Sequence, residues 1–322
     1  MGVRSSVLFS VMLPTYEPDM RLAQAIRSVL AQDPGESHME IVVVDDGSRA
    51  ADVEAVVRSA DAGGRVRLVR HADRLGLAGN WNRAIHASSG RLVHLLHQDD
   101  FVMPGFYARM ADAFARADGI GMAFCRSRII DGEGRRLKTS SRLRWMPGVV
   151  ARWPEIIGER QRVQTPSAVV ARTTYDAVGP YRSDLCHTLD WEMWVRIATR
   201  FPVWHDPRPL AAYRRHAGNE SSRLFTKGAV WPDIVRAIRI NTQEFPEADR
   251  QPLVRRSARW HLGSMIRTAV RQLRESRITE AHATLSALPE MLSLMADHRE
   301  ARVIERQLLE LSRRIESLSA AA

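Results

Sequence analysis

Three times in its first hundred residues the chain drives a short apolar run straight into a polar turn. Val7 to Leu13 stops at Pro14-Thr15-Tyr16, Glu40 to Val44 stops at Asp45-Asp46-Gly47-Ser48, and Leu92 to Leu96 stops at His97-Gln98-Asp99-Asp100. Between these runs, Leu22, Ile26, Val29 and Leu30 recur at helical spacing and Leu77 to Ala87 has helical character, while Val66 to Val69 and Met122 to Cys125 read as further strands. Alternation of strand-length apolar runs with amphipathic segments predicts an α/β fold, a mainly parallel sheet flanked by helices. Ligands of such sheets bind beyond the carboxyl ends of the strands, so the three polar stations are where chemistry is to be sought.

Further along, residues 131 to 153 are irregular and rich in arginine, which predicts a loop or hairpin insertion over one edge of the sheet. Asp190 to Arg200 reads as helix and Pro209 to Tyr213 as a short extended return. After Trp231 strand signals fade, and Leu253 to Leu273 and Met291 to Leu318 carry helical periodicity. The expected organisation is a catalytic domain over 1–225, with halves at about 1–126 and 127–225, followed by an α-helical C-terminal appendage over 226–322.

The chain has 322 residues, 45% hydrophobic and 26% charged, enough for one large core with an appendage and far from a disordered composition. Its net charge of +10 is almost all arginine, since Lys138 and Lys227 are the only lysines. Such a surface attracts phosphates and anionic headgroups, which leaves room for a peripheral membrane contact. Nucleic acid is disfavoured because no zinc-ligand spacing, RNA-binding aromatic motif or basic zipper is present. Two distant cysteines, Cys125 and Cys186, fit a reducing compartment. Together with the lack of any stretch near the roughly 20 apolar residues needed to span a bilayer, this predicts a cytoplasmic chain, soluble or peripheral at the inner face of the membrane. Met1-Gly2 with Ser6 formally matches a myristoylation pattern.

The stations admit more than one reading each. Adjacent carboxylates repel unless a cation or strong donors neutralise them, so Asp99 and Asp100 suit Mg²⁺ or Mn²⁺ or cap the helix starting near Pro104. Asp45 and Asp46 form either a turn and helix N-cap or acceptors for a nucleoside. Asp190, in Leu189-Asp190-Trp191, is an N-cap or a general base among aromatics. His216, in Tyr213-Arg214-Arg215-His216, is a packed histidine or a donor to metal or phosphate, and Arg74 and Arg215 are solvated cations or diphosphate clamps. The lack of a Gly-x-Gly-x-x-Gly after the first strand, of a Walker loop and of a Gly-x-Ser-x-Gly elbow argues against dinucleotide oxidoreductases, P-loop nucleotidases and serine hydrolases of that type.

Taken in order, Val11 to Tyr16, Val42 to Ser48, Leu75 to Ala84, Leu95 to Asp100, Leu189 to Trp191, and Tyr213 to His216 with Asn219 and Ser221 resemble the family 2 inverting glycosyltransferases, over about residues 7 to 222. The resemblance implies the A-type glycosyltransferase fold and a nucleoside-diphosphate-sugar donor. It also implies a sugar moved to a hydroxyl of a glycan, lipid-linked or protein acceptor, as in polysaccharide, glycolipid or glycoprotein biosynthesis. On this basis Asp190 is the catalytic base, Asp99 with His216 the metal site, and Pro14, Thr15, Tyr16, Asp45, Asp46, Arg74, Gly76, Asn82, Asp100 and Arg215 the donor contacts. The cofactor is Mn²⁺ or Mg²⁺. His97 stands where the family's metal motif begins with aspartate, and Leu189 where its base motif has glutamate. Processive synthases carry Gln-x-x-Arg-Trp and membrane helices; here Arg256-Ser257-Ala258-Arg259-Trp260 lacks the glutamine, which favours a non-processive transferase. A sugar-nucleotide nucleotidyltransferase and a non-catalytic nucleotide-sugar or glycan-binding protein are the rival readings. The first would carry a glycine-rich basic loop in place of Pro14-Thr15-Tyr16.

Overall fold

The computed structural model describes residues 7–216, 218–226 and 228–295, apart from the side chain of Ser221. The myristoylation pattern at Met1-Gly2 and Ser6 and most of the 291–318 helix therefore lie outside the described residues. The strands are β1 (Phe9–Thr15), β2 (Met39–Asp45), β3 (Arg67–Arg70), β4 (Leu92–Leu95), β5 (Phe101–Val102), β6 (Met122–Ile130), β7 (Arg136–Thr139), β8 (Gly148–Val149), β9 (Ala168–Ala171) and β10 (Val203–Arg214). The helices are α1 (Met20–Leu30), α2 (Val53–Ala60), α3 (Gly76–Ala87), α4 (Phe106–Arg116), α5 (Trp153–Glu159), α6 (Arg172–Val178), α7 (Leu189–Ala198), α8 (Glu220–Thr226), α9 (Val230–Gln243), α10 (Glu247–Arg274), α11 (Ile278–Leu285) and α12 (Leu288–Ser293).

The main sheet runs β3-β2-β1-β4-β9-β6-β10-β5, with β7 beside β6 and β8 beside β10. β1 pairs in parallel with both β2 and β4, β2 with β3, and β6 with β10, whereas β9, β5, β7 and β8 join antiparallel. The sheet is thus mixed, and its parallel half is the one that carries the three polar stations. β1 and β2 are covered on both faces, because their successive residues are buried apart from the half-buried Glu40, as an α/β layer requires. Leu22, Ile26 and Val29 of α1 and Phe106 and Met110 of α4 pack on the Phe9, Val11, Leu13 side, and α3 lies against β1 and β2.

The extended return is longer than the 209–213 expected. Pro207 and Pro209 break the alternation that marks a strand, but β10 continues through them by register shifts between Asp206 and Ala211, which spare the ladder the missing donors. The arginine-rich insertion contributes β7 and β8 as short antiparallel additions to β6 and β10.

The chain divides into two compact units. One holds the sheet: the described residues up to Trp153, with Arg162–Asp184 and Arg196–His216. The other is helical and comprises Pro154–Gln161, Leu185–Val195 and the described residues after His216. Within it, Trp191 donates from Nε1 to the Ile157 carbonyl at 2.6 Å and lies against His261, and Trp231, Leu253 and Met265 are also buried. Burial pushes the His261 imidazole down to about 4. Among the described residues no helix is long and apolar enough to cross a membrane.

Candidate active site at the carboxyl ends of the parallel strands

Parallel register brings Thr15 opposite Asp45 and Met12 opposite Leu95, so the ends of β1, β2 and β4 open on one rim. Pro14 sits within β1 opposite Val44, at a position where its missing N–H leaves the ladder intact. The first and third stations are stitched together by Gln98. Its Oε1 accepts from the Thr15 hydroxyl at 2.7 Å and the Tyr16 N–H at 2.9 Å, and its Nε2 donates to the Tyr16 carbonyl at 3.2 Å. Arg74 lies 3.9 Å from the Tyr16 ring centroid, a cation–π contact that holds a guanidinium on the rim.

At the end of β2, Asp45 is fully buried and accepts from Arg70 Nε at 2.9 Å and from the Ser48 hydroxyl. Asp46 accepts from the Leu75 and Gly76 N–H groups at 2.7 and 2.9 Å, fastening the start of α3, and Gly76 takes φ +75°, the left-handed turn that favours glycine. The N-cap of α2 is Asp52, not either member of the pair. Glu17, beside this turn, accepts from the N–H groups of Arg49, Ala50 and Ala51, and the Arg49 and Ala50 bonds hold its carboxyl below the ordinary value. Asn82 is committed elsewhere in the same unit: it donates to the Tyr181 carbonyl at 2.9 Å and accepts from the Tyr181 N–H at 2.7 Å.

At the end of β4 the acids have different company. Asp99 Oδ2 is 2.8 Å from His216 Nε2, and Arg21 Nη1 is 3.2 Å from His216 Nδ1, so a ring protonated at Nε2 satisfies both neighbours. Burial raises the Asp99 carboxyl, but the His216 hydrogen bond and the His97 and His216 charges outweigh it and leave it below the ordinary value. Asp100 is buried, 3.6 Å from His97 Nδ1; burial, aided by the Asp99 charge, raises it. His97 in turn stacks on Trp81 at 4.8 Å. Helix α4 is capped by Gly105, so neither aspartate serves as its cap.

Arg214 is the buried tie among these groups. Its N–H donates to Asp100 at 2.8 Å, its Nε to the Asp99 carbonyl at 2.9 Å, its Nη1 to the Asp131 and Gly132 carbonyls, and its Nη2 to Gln24 at 2.6 Å. Arg215, the neighbour singled out in the sequence, is exposed and bonds the Ile130 carbonyl through its backbone. In a run of two arginines the inward one is set by strand alternation in β10, and nothing in the local sequence says which that is.

Among the described residues no group of three His, Cys, Asp or Glu forms a ready-made metal cage. The Asp99–His216 pair offers one oxygen and one nitrogen ligand at a strand end, a donor set that fits a hard cation taking the rest of its shell from water and substrate phosphate. In the helical unit, Asp190 stands in the first turn of α7, its Oδ1 accepting from the Trp191 N–H at 2.7 Å. The turn before it is held by Asp233 of α9, buried, which accepts from the N–H groups of Cys186, His187 and Thr188 at 2.8 to 2.9 Å and from the Thr188 hydroxyl at 2.7 Å. Gln98, Arg214 and Asp233 escaped the sequence reading because their partners are tens of residues away.

The profile of glycosyl transferase family 2 matches residues 10–179. An uncharacterized protein of Mycobacterium tuberculosis is 30% identical over 232 residues, 67% of this chain and 70% of that one. The succinoglycan biosynthesis protein ExoU of Rhizobium meliloti is 41% identical over 85 residues, 26% of this chain and 24% of ExoU. Among solved structures, the crystal structure of S. aureus TarS 1-349 in complex with UDP-GlcNAc superposes with a TM-score of 0.69 at 15% identity, over 90% of this chain and 82% of that one. The expected A-type glycosyltransferase fold is therefore the fold observed. With its sheet, its acidic strand ends and more than half its length in register with the profile, the chain belongs to glycosyl transferase family 2.

Proposed function

We propose that the chain is an inverting, non-processive transferase that moves one sugar from a nucleoside-diphosphate sugar to a hydroxyl of a glycan, lipid-linked or protein acceptor. The observation that carries this is the rim where Thr15 and Tyr16, joined by Gln98, meet the Asp99–His216 pair. Thr15, Tyr16 and the turn that the Asp45 and Asp46 carboxylates brace receive the nucleoside, with Arg74 and Arg215 as cationic partners for the diphosphate. TarS was crystallised with UDP-GlcNAc, which supports a uridine nucleotide as the first donor to test.

Asp99 and His216 would hold Mn²⁺ or Mg²⁺, which when bound neutralises charge on the diphosphate. Asp190 takes the proton of the acceptor hydroxyl as it attacks the anomeric carbon from the face opposite the leaving nucleoside diphosphate, and inversion follows from that direction of attack. The order of the segments supports Asp190 as base, and so does its firm seating in α7 between the Asp233 tie and the Trp191 anchor.

The test is Asp190→Asn. General-base loss lowers the rate about 10²- to 10⁴-fold, while calorimetric donor binding stays at the wild-type level. Lost donor binding in a variant with a normal fold would sink Asp190 as base. Hydrolysis of UDP-sugars without acceptor, with and without Mn²⁺, tests the donor class separately; release of no nucleotide from any sugar nucleotide overturns it.

A further inference from the structure

The insertion between β6 and β8 carries exposed side chains to which the proposed transfer gives no role. Trp145, Met146 and Leu137 are 81%, 71% and 57% exposed, whereas Trp81, Trp153, Trp191, Trp194 and Trp231 are all buried. Cations are interspersed with them along the chain. Arg136 and Lys138 flank Leu137 on β7, and the Arg142 guanidinium lies 4.3 Å from the Trp145 ring centroid. Arg135 is neutralised by Asp131 and Glu133 at 2.7 and 3.1 Å, but among the described residues no carboxylate lies within ion-pair distance of Arg136, Lys138 or Arg142.

Exposed apolar tips in a segment that also carries unpaired cations suit one kind of surface. At a bilayer interface an indole sits at headgroup level, thioether and aliphatic tips enter the acyl boundary, and arginine and lysine meet anionic phosphates. A glycan would stack on the ring face of Trp145, but it makes no use of Met146 or Leu137, and Arg142 already lies over the ring. A second copy of the chain would set these uncompensated like charges against one another. We propose that residues 135–146 form a docking surface for a bilayer containing anionic phospholipid. The segment leaves the turn after β6, where Arg214 donates to the Asp131 and Gly132 carbonyls, and ends at β8, which pairs with the start of β10. The inference concerns binding only and stands whether or not the proposed transfer chemistry is right.

The experiment is co-sedimentation of the full chain with vesicles of phosphatidylcholine alone or with phosphatidylglycerol added. Wild-type protein is expected to sediment only with the anionic vesicles and to be released by salt. Trp145→Ser with Met146→Ser, and separately Arg136→Glu with Lys138→Glu, each lower the partition coefficient at least tenfold with unchanged thermal unfolding, because these side chains are exposed. Failure of the wild type to bind anionic vesicles overturns the proposal. So does unchanged binding of the Trp145/Met146 variant, which would leave only diffuse attraction by net charge. A wild-type dimer that this variant converts to monomer, with vesicle binding kept, would make the patch a contact between copies and overturn it equally.

Discussion

Two pairs of adjacent aspartates lie at the carboxyl ends of β2 and β4, the parallel strands on either side of β1, and the difference between them lies in what neutralises each. Asp45 and Asp46 are absorbed by the fold: one is matched to Arg70 and Ser48, the other binds the two N–H groups that open α3. Asp99 and Asp100 instead face imidazoles, His216 and His97, and their carboxyls are pushed in opposite directions, Asp99 down and Asp100 up. A guanidinium and backbone donors are fixed cations or fixed dipoles, so the β2 pair has no free partner to exchange. An imidazole can lose its proton and turn its nitrogen to a metal or phosphate, so the β4 pair can. Perturbed carboxylates of this kind, at a strand end beside imidazoles, are candidates for a functional site.

If that contrast is right, Asp99→Asn cuts transfer about 10²- to 10³-fold through lost electrostatic stabilisation and leaves the unfolding midpoint close to wild type. Intact transfer with a lowered midpoint would erase the distinction. The opposite outcome is expected for Asp45→Asn. Removing the buried acceptor of an ion pair whose Arg70 partner is 43% exposed costs about 2 to 3 kcal/mol in denaturant titration, less than for a fully buried pair. An unchanged midpoint there would mean that Arg70 and Ser48 do not depend on Asp45.

Acid sharpens the contrast further, because β4 also carries His94. This ring is wholly buried between the Tyr107 hydroxyl and the Pro166 carbonyl, and burial pushes it down to about 3. Its folded pKa lies below its unfolded value of 6.5. The stability it contributes is therefore fully present above 6.5 and is lost as pH falls towards 3, at about 1.4 kcal/mol per unit. Between pH 6.5 and 5 the wild type should lose about 2 kcal/mol that His94→Gln does not lose; parallel pH profiles for the two proteins would refute it. The smallest effect is expected at Gly76→Ala. A side chain at φ +75° is strained although no atom lies within 4 Å of its Cβ, so unfolding should ease by about 1 kcal/mol. An undiminished stability would show that Asp46 does not need this turn.

Much of the sheet was legible because its parallel core is local in character. Ile41 to Val44 are apolar on both faces, as are Leu92 to Leu95 apart from the buried His94, and only a strand covered on two sides asks for that. β9, Ala168–Ala171, went unread since four small apolar residues beside Pro166 carry no period to recognise. The same limit applies to the site. The aspartates at strand ends stood out, but the partner that distinguishes Asp99, His216, is 117 residues away, and the choice of Arg214 over Arg215 depended on a register shift at Pro209. Residues 154–161 and 185–195 group with the helical unit, although both lie within the stretch read as one catalytic domain.

The sequence by itself determined the layered α/β core, the acidic strand ends and the family, because side-chain period and strand-end chemistry are written in neighbouring residues. Only the tertiary structure decided which acidic pair is spent on the fold and which stays available. That depends on the cations and backbone donors that packing brings to each carboxylate, and these come from segments that no local pattern connects.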